Sequence, residues 1–158
     1  LSCRVCFEQN YNGIDGDSAS STELYCIISS LSELPIRQEL AVTGSVNQKG
    51  EIQAIGGVTH KIEGFFDLCK KRGLTGNQGV LIPVSNIKDL VLKDEVVNAV
   101  KDGVFHIYPI THINEGIELL MQCPAGEKDE HGEFPADSVH GKVYAKLKEF
   151  ASASKNKF

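Results

Sequence analysis

The chain has 158 residues, of which 41% are hydrophobic and 23% charged, and its formal net charge is −5 at pH 7. These proportions are typical of a compact globular domain with a buried core. The net acidity argues against a broad surface for nucleic acid or for an anionic membrane, and no apolar run approaches the roughly 20 residues of a membrane-spanning helix. We therefore expect neither nucleic acid nor a membrane as a partner.

The cysteines indicate a reducing environment. Their number, five, is odd and they are scattered along the chain, which is typical of free thiols rather than a disulfide scaffold, so we expect a cytoplasmic location. Cys3 and Cys6 form a C-x-x-C, but residues 1–8 are predicted as a strand, in which the two would point to opposite faces. No second such pair follows, so we expect no metal site.

The first half of the chain predicts a helix and a hairpin after this strand. Residues 9–17 form a turn region rich in Gly, Asn and Asp. Apolar residues recur at helical spacing from about residue 18 to 31, and Pro35 ends that helix. Residues 40–55 alternate apolar and polar side chains on both sides of the turn "NQKG" and predict one β-hairpin.

The next helix is the clearest in the sequence. Its apolar residues lie on one face, and they are Val58, Ile62, Phe65, Phe66 and Cys69. Gly73 is a typical C-terminal stop.

Strands and short helices alternate after it. They are, in order, the apolar strand "GVLIPV", short helices in "SNIKDLVL" and "KDEVVNAVKDG", the buried strand "VFHIYPI", and the helix "THINEGIELLMQ", which Thr111 or Asn114 could begin. Alternation of strands and helices from residue 40 to 121 predicts an α/β fold, a mixed sheet with helices packed on it. We assign residues 1–122 to this domain and residues 123–158 to a polar connector, a C-terminal helix and a frayed tail, "ASASKNKF".

The stretch "GIDGDSASSTEL" permits two interpretations of Ser18. Ser20 and Glu23 have the spacing of a capping box, and Asp17 and Ser18 are also common helix caps. The alternative is that Ser18 is a nucleophile on a tight turn. A histidine base of the trypsin type is excluded because no histidine precedes Ser18, and the G-x-S-x-G elbow is not matched because Ser20 is where its last glycine would stand.

A lysine can replace histidine as the base. Lysine titrates near about 10.4 in water, so a lysine base must be desolvated. Lys61 is the best candidate because it follows Gly56 and Gly57 and precedes Ile62 on an apolar helix, whereas Lys70 lies in a solvated basic run. The competing interpretation of Lys61 is a surface lysine whose stem covers apolar residues.

Three blocks in register resemble a known family. "DGDSAS" resembles the nucleophile motif D-G-P-S-A-G of the proteolytic domain of Lon, the ATP-dependent protease. "VTGSVNQKGEIQAIGGVTHKIEG" resembles its second motif, which is T-G-E, a hairpin with glycine, and G-G-x-x-x-K. "GVLIPVSNIKDL" resembles the strand and turn that follow. The resemblance covers residues 1–122, and the chain after it looks more like the LonB-type branch.

The resemblance implies a role for five residues. Ser18 matches the nucleophile and Lys61 the general base of a Ser-Lys dyad. Thr43 matches a threonine that orients the lysine, and Asp15 matches the motif aspartate near the active site. Backbone N–H groups around Gly16 and Ser18 would stabilise the oxyanion.

The resemblance also implies fold, activity and assembly. The fold would be a mixed sheet similar to ribosomal-protein domain 2, and the activity hydrolysis of unfolded polypeptides through an acyl-enzyme. The assembly would be a hexameric ring driven by an AAA+ module that uses ATP and Mg. The chain contains no G-x-x-x-x-G-K-[ST] loop, so we expect no cofactor within it. It begins with Leu and lacks the family's first hairpin, so we expect a piece of a longer protein.

Three positions depart from the family pattern. Asp17 replaces a proline, Ser20 a glycine and Ser45 a glutamate. A carboxylate close to Lys61 would favour its ammonium form and oppose its action as a base. A catalytically impaired Lon-like module, used for assembly or for peptide or nucleic-acid binding, therefore stays open as an alternative. An amidase or esterase using the same dyad on small molecules is a third possibility.

Overall fold

A computed structural model describes residues 16–155 of the protein. The predicted strand at residues 1–8, Cys3, Cys6 and Asp15 lie outside the described residues. The described elements are α1 (Ser20–Ser32), β1 (Leu40–Val42), β2 (Ser45–Val46), β3 (Ile52–Gln53), α2 (Val58–Arg72), β4 (Gly79–Pro83), a 3-10 helix (Val84–Asp89), α3 (Asp94–Lys101), β5 (His106–Ile110), α4 (Ile113–Met121) and α5 (Val139–Lys155).

The described strands form two small sheets. β4 lies between β1 and β5 and is parallel to both, while β2 and β3 form an antiparallel pair. Parallel and antiparallel pairs together with helices confirm the predicted α/β fold with mixed strand directions. The single hairpin predicted over residues 40–55 is wrong at its first strand, because Leu40–Val42 pairs with β4 and only Ser45–Val46 pairs with the return strand. Thr43 and Gly44 separate the two, so one alternating pattern spans two strands.

Two apolar cores lie on opposite faces of β4. Leu81 points into a core shared with α1, α4 and α5, while Val80 and Ile82 point into a core shared with α2 and α3. This follows from the alternation of side chains along a strand. α1, which begins just after Ser18, is thus packed on one face of the sheet, and α2, which carries Lys61, on the other.

The predicted helix over residues 58–72 is confirmed. Val58, Ile62, Phe66 and Cys69 are buried, and Gly73 follows the last residue with a φ of 94°. That φ lies in the region that glycine adopts without steric cost, which explains why the helix ends there.

The predicted capping box at the start of α1 is wrong. Ala19 is the cap residue and makes no side-chain cap hydrogen bond. The Ser20 hydroxyl is unavailable because it accepts a hydrogen bond from the Val46 N–H at 3.1 Å. The helix therefore begins at Ser20, two residues later than the periodicity predicted.

Three other expectations differ in detail. α4 is capped by His112, whose ring accepts from the Asn114 N–H, rather than by Thr111 or Asn114. β5 is only half-buried over most of its length, since it is an edge strand of the described sheet. Residues 151–155 continue α5 instead of forming a frayed tail. The division at residue 122 stays a prediction, although Val139 of α5 packs into the same core as α1.

Candidate active site

The turn that carries Ser18 is bound to the segment Thr43–Val46. The Gly44 N–H donates to the Ser18 carbonyl at 2.9 Å. In return, the Gly44 carbonyl accepts from the Ser21 N–H at 3.3 Å and from the Ser21 hydroxyl at 2.7 Å. These bonds are made just before α1 and within its first turn, so they fix how the turn that carries Ser18 joins the helix.

Two of the departures from the family pattern contact each other in this region. The Ser45 hydroxyl donates to Asp17 Oδ2 at 2.7 Å, and Ser45 is only 4% exposed. Among residues 16–155, Lys61 forms no ion pair with a carboxylate, so Asp17 does not pair with it there. Asp17 is instead part of the link between the Ser18 turn and β2.

Helix α2 brings Lys61 to Ser18 from the other face of the sheet. Lys61 Nζ lies 2.8 Å from Ser18 Oγ and 3.2 Å from Thr43 Oγ1. The helix is anchored by its apolar face, where Ile62 is 0% exposed and Phe66 2%. The two residues are 43 positions apart in sequence, and their polar atoms lie within hydrogen-bond reach.

Thr43 joins these two groups to the central strand. Its side chain is 6% exposed, and its hydroxyl accepts from Lys61 and donates to the Ser18 carbonyl at 3.4 Å. Its own N–H donates to the Leu81 carbonyl of β4 at 3.1 Å. Thr43, to which the resemblance assigns the orientation of the lysine, therefore lies within hydrogen-bond reach of Lys61.

The expectation of a desolvated Lys61 is wrong for the described chain, in which Lys61 is exposed. The cause is local. Gly57 and Gly64 are four residues before and three after Lys61, and so share its face of the helix. A methyl group added to either glycine would meet no atom within 4 Å, so the helix surface on both sides of Lys61 is open.

The position of the oxyanion site stays a prediction. Gly16 is exposed and has a φ of 77°, consistent with a tight turn, and Ser18 lies just before the N-terminus of α1. The N–H groups at that end carry the positive end of the helix dipole. Asp15 lies outside the described residues.

Sequence reasoning missed Asn86, which is 5% exposed. Its side-chain Oδ1 accepts from the Ile55 N–H at 3.0 Å, and its Nδ2 donates to the Ile55 carbonyl at 3.0 Å. "SNIKDL" was predicted as a short helix, in which an asparagine is normally solvated. No pattern in one sequence indicates that its partner lies 31 residues earlier.

A second polar cluster links α5 to the β2–β3 turn. His140 Nε2 lies 2.9 Å from Asn114 Oδ1, and His112 Nε2 lies 3.1 Å from the Lys49 carbonyl. Burial lowers the pKa of His140 below its ordinary value of 6.5, and the nearby His112 lowers it further. Within the described part of the chain, no group of three or more His, Cys, Asp or Glu is arranged to hold a metal ion.

No helix between residues 16 and 155 is both long and apolar enough to cross a membrane.

Known proteins resemble the chain over the region that contains this site. The family described as the Lon protease (S16) C-terminal proteolytic domain matches residues 12–123. A Lon protease homolog of Haemophilus influenzae is 50% identical over 121 residues, which cover 77% of this chain and 20% of that protein. One of Escherichia coli is 47% identical over 121 residues, covering 77% and 21%. An archaeal Lon protease of Thermococcus kodakarensis is 38% identical over 126 residues, covering 80% and 18%. The chain thus spans about a fifth of the length of these relatives.

Proposed function

Since this chain belongs to the family of the Lon protease C-terminal proteolytic domain, we propose that it is a serine peptidase domain in which Ser18 and Lys61 form the catalytic dyad. The observation that carries the proposal is the 2.8 Å separation of Lys61 Nζ and Ser18 Oγ. A nucleophile and its base are expected at about 2.6–3.2 Å. The Thr43 hydroxyl, 3.2 Å from the same amine, supports it by restricting where the amine can lie.

The chemistry would proceed in two steps. Neutral Lys61 accepts the hydroxyl proton of Ser18 while Oγ attacks the carbonyl carbon of a peptide bond. The C–N bond breaks, Lys61 returns the proton to the leaving amine, and an acyl-enzyme ester remains on Ser18. Lys61 then takes a proton from water, whose oxygen attacks the ester, and the proton passes back to Ser18 Oγ as it leaves.

The N–H groups near Gly16 and Ser18 would stabilise the negative charge that develops on the carbonyl oxygen in both steps. Their position at the start of α1 favours a negative charge.

The open face around Lys61 supports an extended polypeptide as the substrate. Lys61 must lose water to act as a neutral base, and the described chain leaves it exposed. A substrate backbone lying over Gly57 and Gly64 would find open space at both glycines and would exclude water from the Lys61 amine between them. An unfolded segment can adopt the extended backbone that this requires.

Assembly and energy supply are proposed for the whole protein. A hexameric ring, an AAA+ module and its ATP and Mg would deliver unfolded chains to Ser18. In this proposal the AAA+ module binds the nucleotide, so residues 16–155 need not contact it.

One observation favours a second candidate, the catalytically impaired module. The base role requires a desolvated amine, and Lys61 is exposed in the described chain, so that role needs something that covers the lysine. Such a module would bind polypeptides without cleaving them.

The experiment is hydrolysis of a fluorescently labelled, chemically unfolded protein by the natural full-length protein. Ser18→Ala and Lys61→Ala should each lower the rate by about a thousandfold or more. Ser30→Ala and Lys71→Ala, at exposed positions on α1 and α2, are the matched controls and should leave the rate unchanged. Undiminished hydrolysis in both dyad variants would refute the proposal, and binding without hydrolysis by the wild type would favour the impaired module.

A further inference from the structure

Resting on that proposed function, we infer that Asn86 is a positioning residue for Lys61, acting through the backbone of Ile55. An asparagine amide offers one acceptor and donors much as a peptide group does. Asn86 uses both on the N–H and the carbonyl of the same residue, each at 3.0 Å. Ile55 follows β3 and belongs to no described strand, so Asn86 supplies the bonds that a neighbouring strand would otherwise supply.

Ile55 lies next to the start of α2, the helix that carries Lys61. Only Gly56 and Gly57 separate Ile55 from α2, and neither glycine has an atom within 4 Å of where a Cβ would lie. The Lys61 N–H donates to the Gly57 carbonyl at 3.2 Å, so Gly57 and Lys61 belong to the same first turn. Gly57 caps α2 without a side-chain hydrogen bond. No capping side chain holds the start of the helix, so the Ile55–Asn86 pair is the polar anchor there, beside the apolar packing of Val58.

Strand β4 and the segment that follows it are the rigid reference for both residues of the dyad. Asn86 lies in the 3-10 helix that follows β4 directly, and the Thr43 N–H is bonded to Leu81 of β4. Two polar contacts thus tie the dyad to β4 and the 3-10 helix that follows it. Thr43 ties the Ser18 turn to β4, and Asn86 ties the start of α2, which carries Lys61, to the 3-10 helix. Apolar packing of α2 fixes which face is buried, while the Asn86 pair fixes where the helix begins.

A small displacement of the start of α2 would move the Lys61 amine relative to Ser18 Oγ. Misplacing a catalytic group by about 1 Å can cost about a hundredfold in rate. A role confined to stability would instead lower the melting temperature and leave the turnover of the folded enzyme intact.

The test compares Asn86→Ala and Asn86→Asp in the natural full-length protein. Asp keeps the acceptor for the Ile55 N–H but offers no donor to the Ile55 carbonyl. Asn98→Ala, an exposed asparagine of α3, is the matched control. At a temperature where circular dichroism shows every variant folded, kcat for the unfolded substrate should fall about 10- to 100-fold in both Asn86 variants, with KM changed by less than about twofold. Asn98→Ala should match the wild type.

Backbone hydrogen exchange provides a readout that does not depend on catalysis. Amides from Ile55 to Lys61 should exchange at least about tenfold faster in the Asn86 variants, while those of α4 stay unchanged. Unchanged exchange at residues 55–61, or an equal increase in α4, would overturn the positioning role. If the wild type does not hydrolyse polypeptides, the proposed function fails, and exchange together with the Lys61 Nζ to Ser18 Oγ distance in a solved structure of Asn86→Asp still decides the inference. An unchanged distance there would contradict it.

Discussion

Ser18 and Lys61 are held in different ways although their polar atoms are 2.8 Å apart. The Ser18 turn is bound by hydrogen bonds that lie within a few residues of the reacting oxygen, from Gly44, Ser45 and Ser21. Lys61 projects from a helix that is anchored by apolar side chains and, at its start, by the Asn86–Ile55 pair. Changes to the hydrogen bonds of the turn should therefore disturb Ser18, while changes to the packing of α2 or to that pair should disturb Lys61.

Removing a packing anchor of α2 should have the largest effect. Ile62→Ala should lower the free energy of unfolding by about 2–5 kcal/mol, because Ile62 is 0% exposed and its loss leaves a cavity in the core shared with α3. Urea unfolding followed by circular dichroism measures this. His60→Ala, at an exposed neighbour, is the control and should change stability by less than about 0.5 kcal/mol. A loss below about 1 kcal/mol for Ile62→Ala would contradict anchoring by packing.

Removing the Thr43 hydroxyl, which contacts both Lys61 and Ser18, should have the second-largest effect. Thr43→Val keeps the shape of the side chain but removes the oxygen 3.2 Å from Lys61 Nζ, so kcat should fall about 100-fold. Steady-state hydrolysis of the unfolded substrate measures it. Thr43→Ser restores the hydroxyl and should recover most of the rate. Equal activity of the Val and Ser variants would show that the hydroxyl has no role.

The polar link on the Ser18 side can be isolated by a double-mutant cycle. Asp17→Ala and Ser45→Ala should each destabilise the protein, and their coupling energy should be about 1–2 kcal/mol because the Ser45 hydroxyl donates to a carboxylate at 2.7 Å. Chemical unfolding of the four proteins gives the coupling. Additivity within about 0.3 kcal/mol would mean that the pair contributes nothing.

The open face of α2 allows stability and activity to be separated. Gly64→Ala should raise the free energy of unfolding by about 0.5–1 kcal/mol, since the added methyl meets no atom and alanine favours a helix. Gly64→Leu should raise KM for the unfolded substrate about tenfold, because its side chain occupies the face beside Lys61. His60→Leu adds the same side chain elsewhere on the helix and should leave KM unchanged. Unaltered KM in Gly64→Leu would argue against a substrate path over this face.

The smallest effect should be a pH dependence of stability that arises from His140, on the face of the sheet that carries α1. The pKa of His140 is lowered in the folded protein, so the unfolded chain binds the proton more tightly. This contribution to stability is present above pH 6.5 and is lost as the pH falls towards the folded-state pKa. His140→Gln should therefore flatten the loss of melting temperature between about pH 7 and 5. An identical pH profile in the two proteins would contradict it.

The features of the fold and of the site that could be predicted are those that leave a local pattern in the sequence. The helix over residues 58–72 follows from periodicity, and the proximity of Ser18 and Lys61 agrees with what the two separated motifs implied. The split of residues 40–55 between two sheets could not be predicted, because β1 and β2 continue one alternating pattern. The Asp17–Ser45 and Asn86–Ile55 pairs join residues 28 and 31 positions apart, and such partners depend on tertiary packing alone.

The most direct test of the dyad is covalent labelling of Ser18. The natural full-length protein is treated with a fluorophosphonate, which places a phosphonyl group on the serine oxygen with loss of fluoride, and the modified peptide is identified by mass spectrometry. We expect one adduct, on Ser18, formed in the wild type and in Lys71→Ala but lost in Lys61→Ala. Labelling of Ser18 at an equal rate without Lys61, or no labelling of Ser18 in an enzyme that still hydrolyses polypeptides, would contradict it.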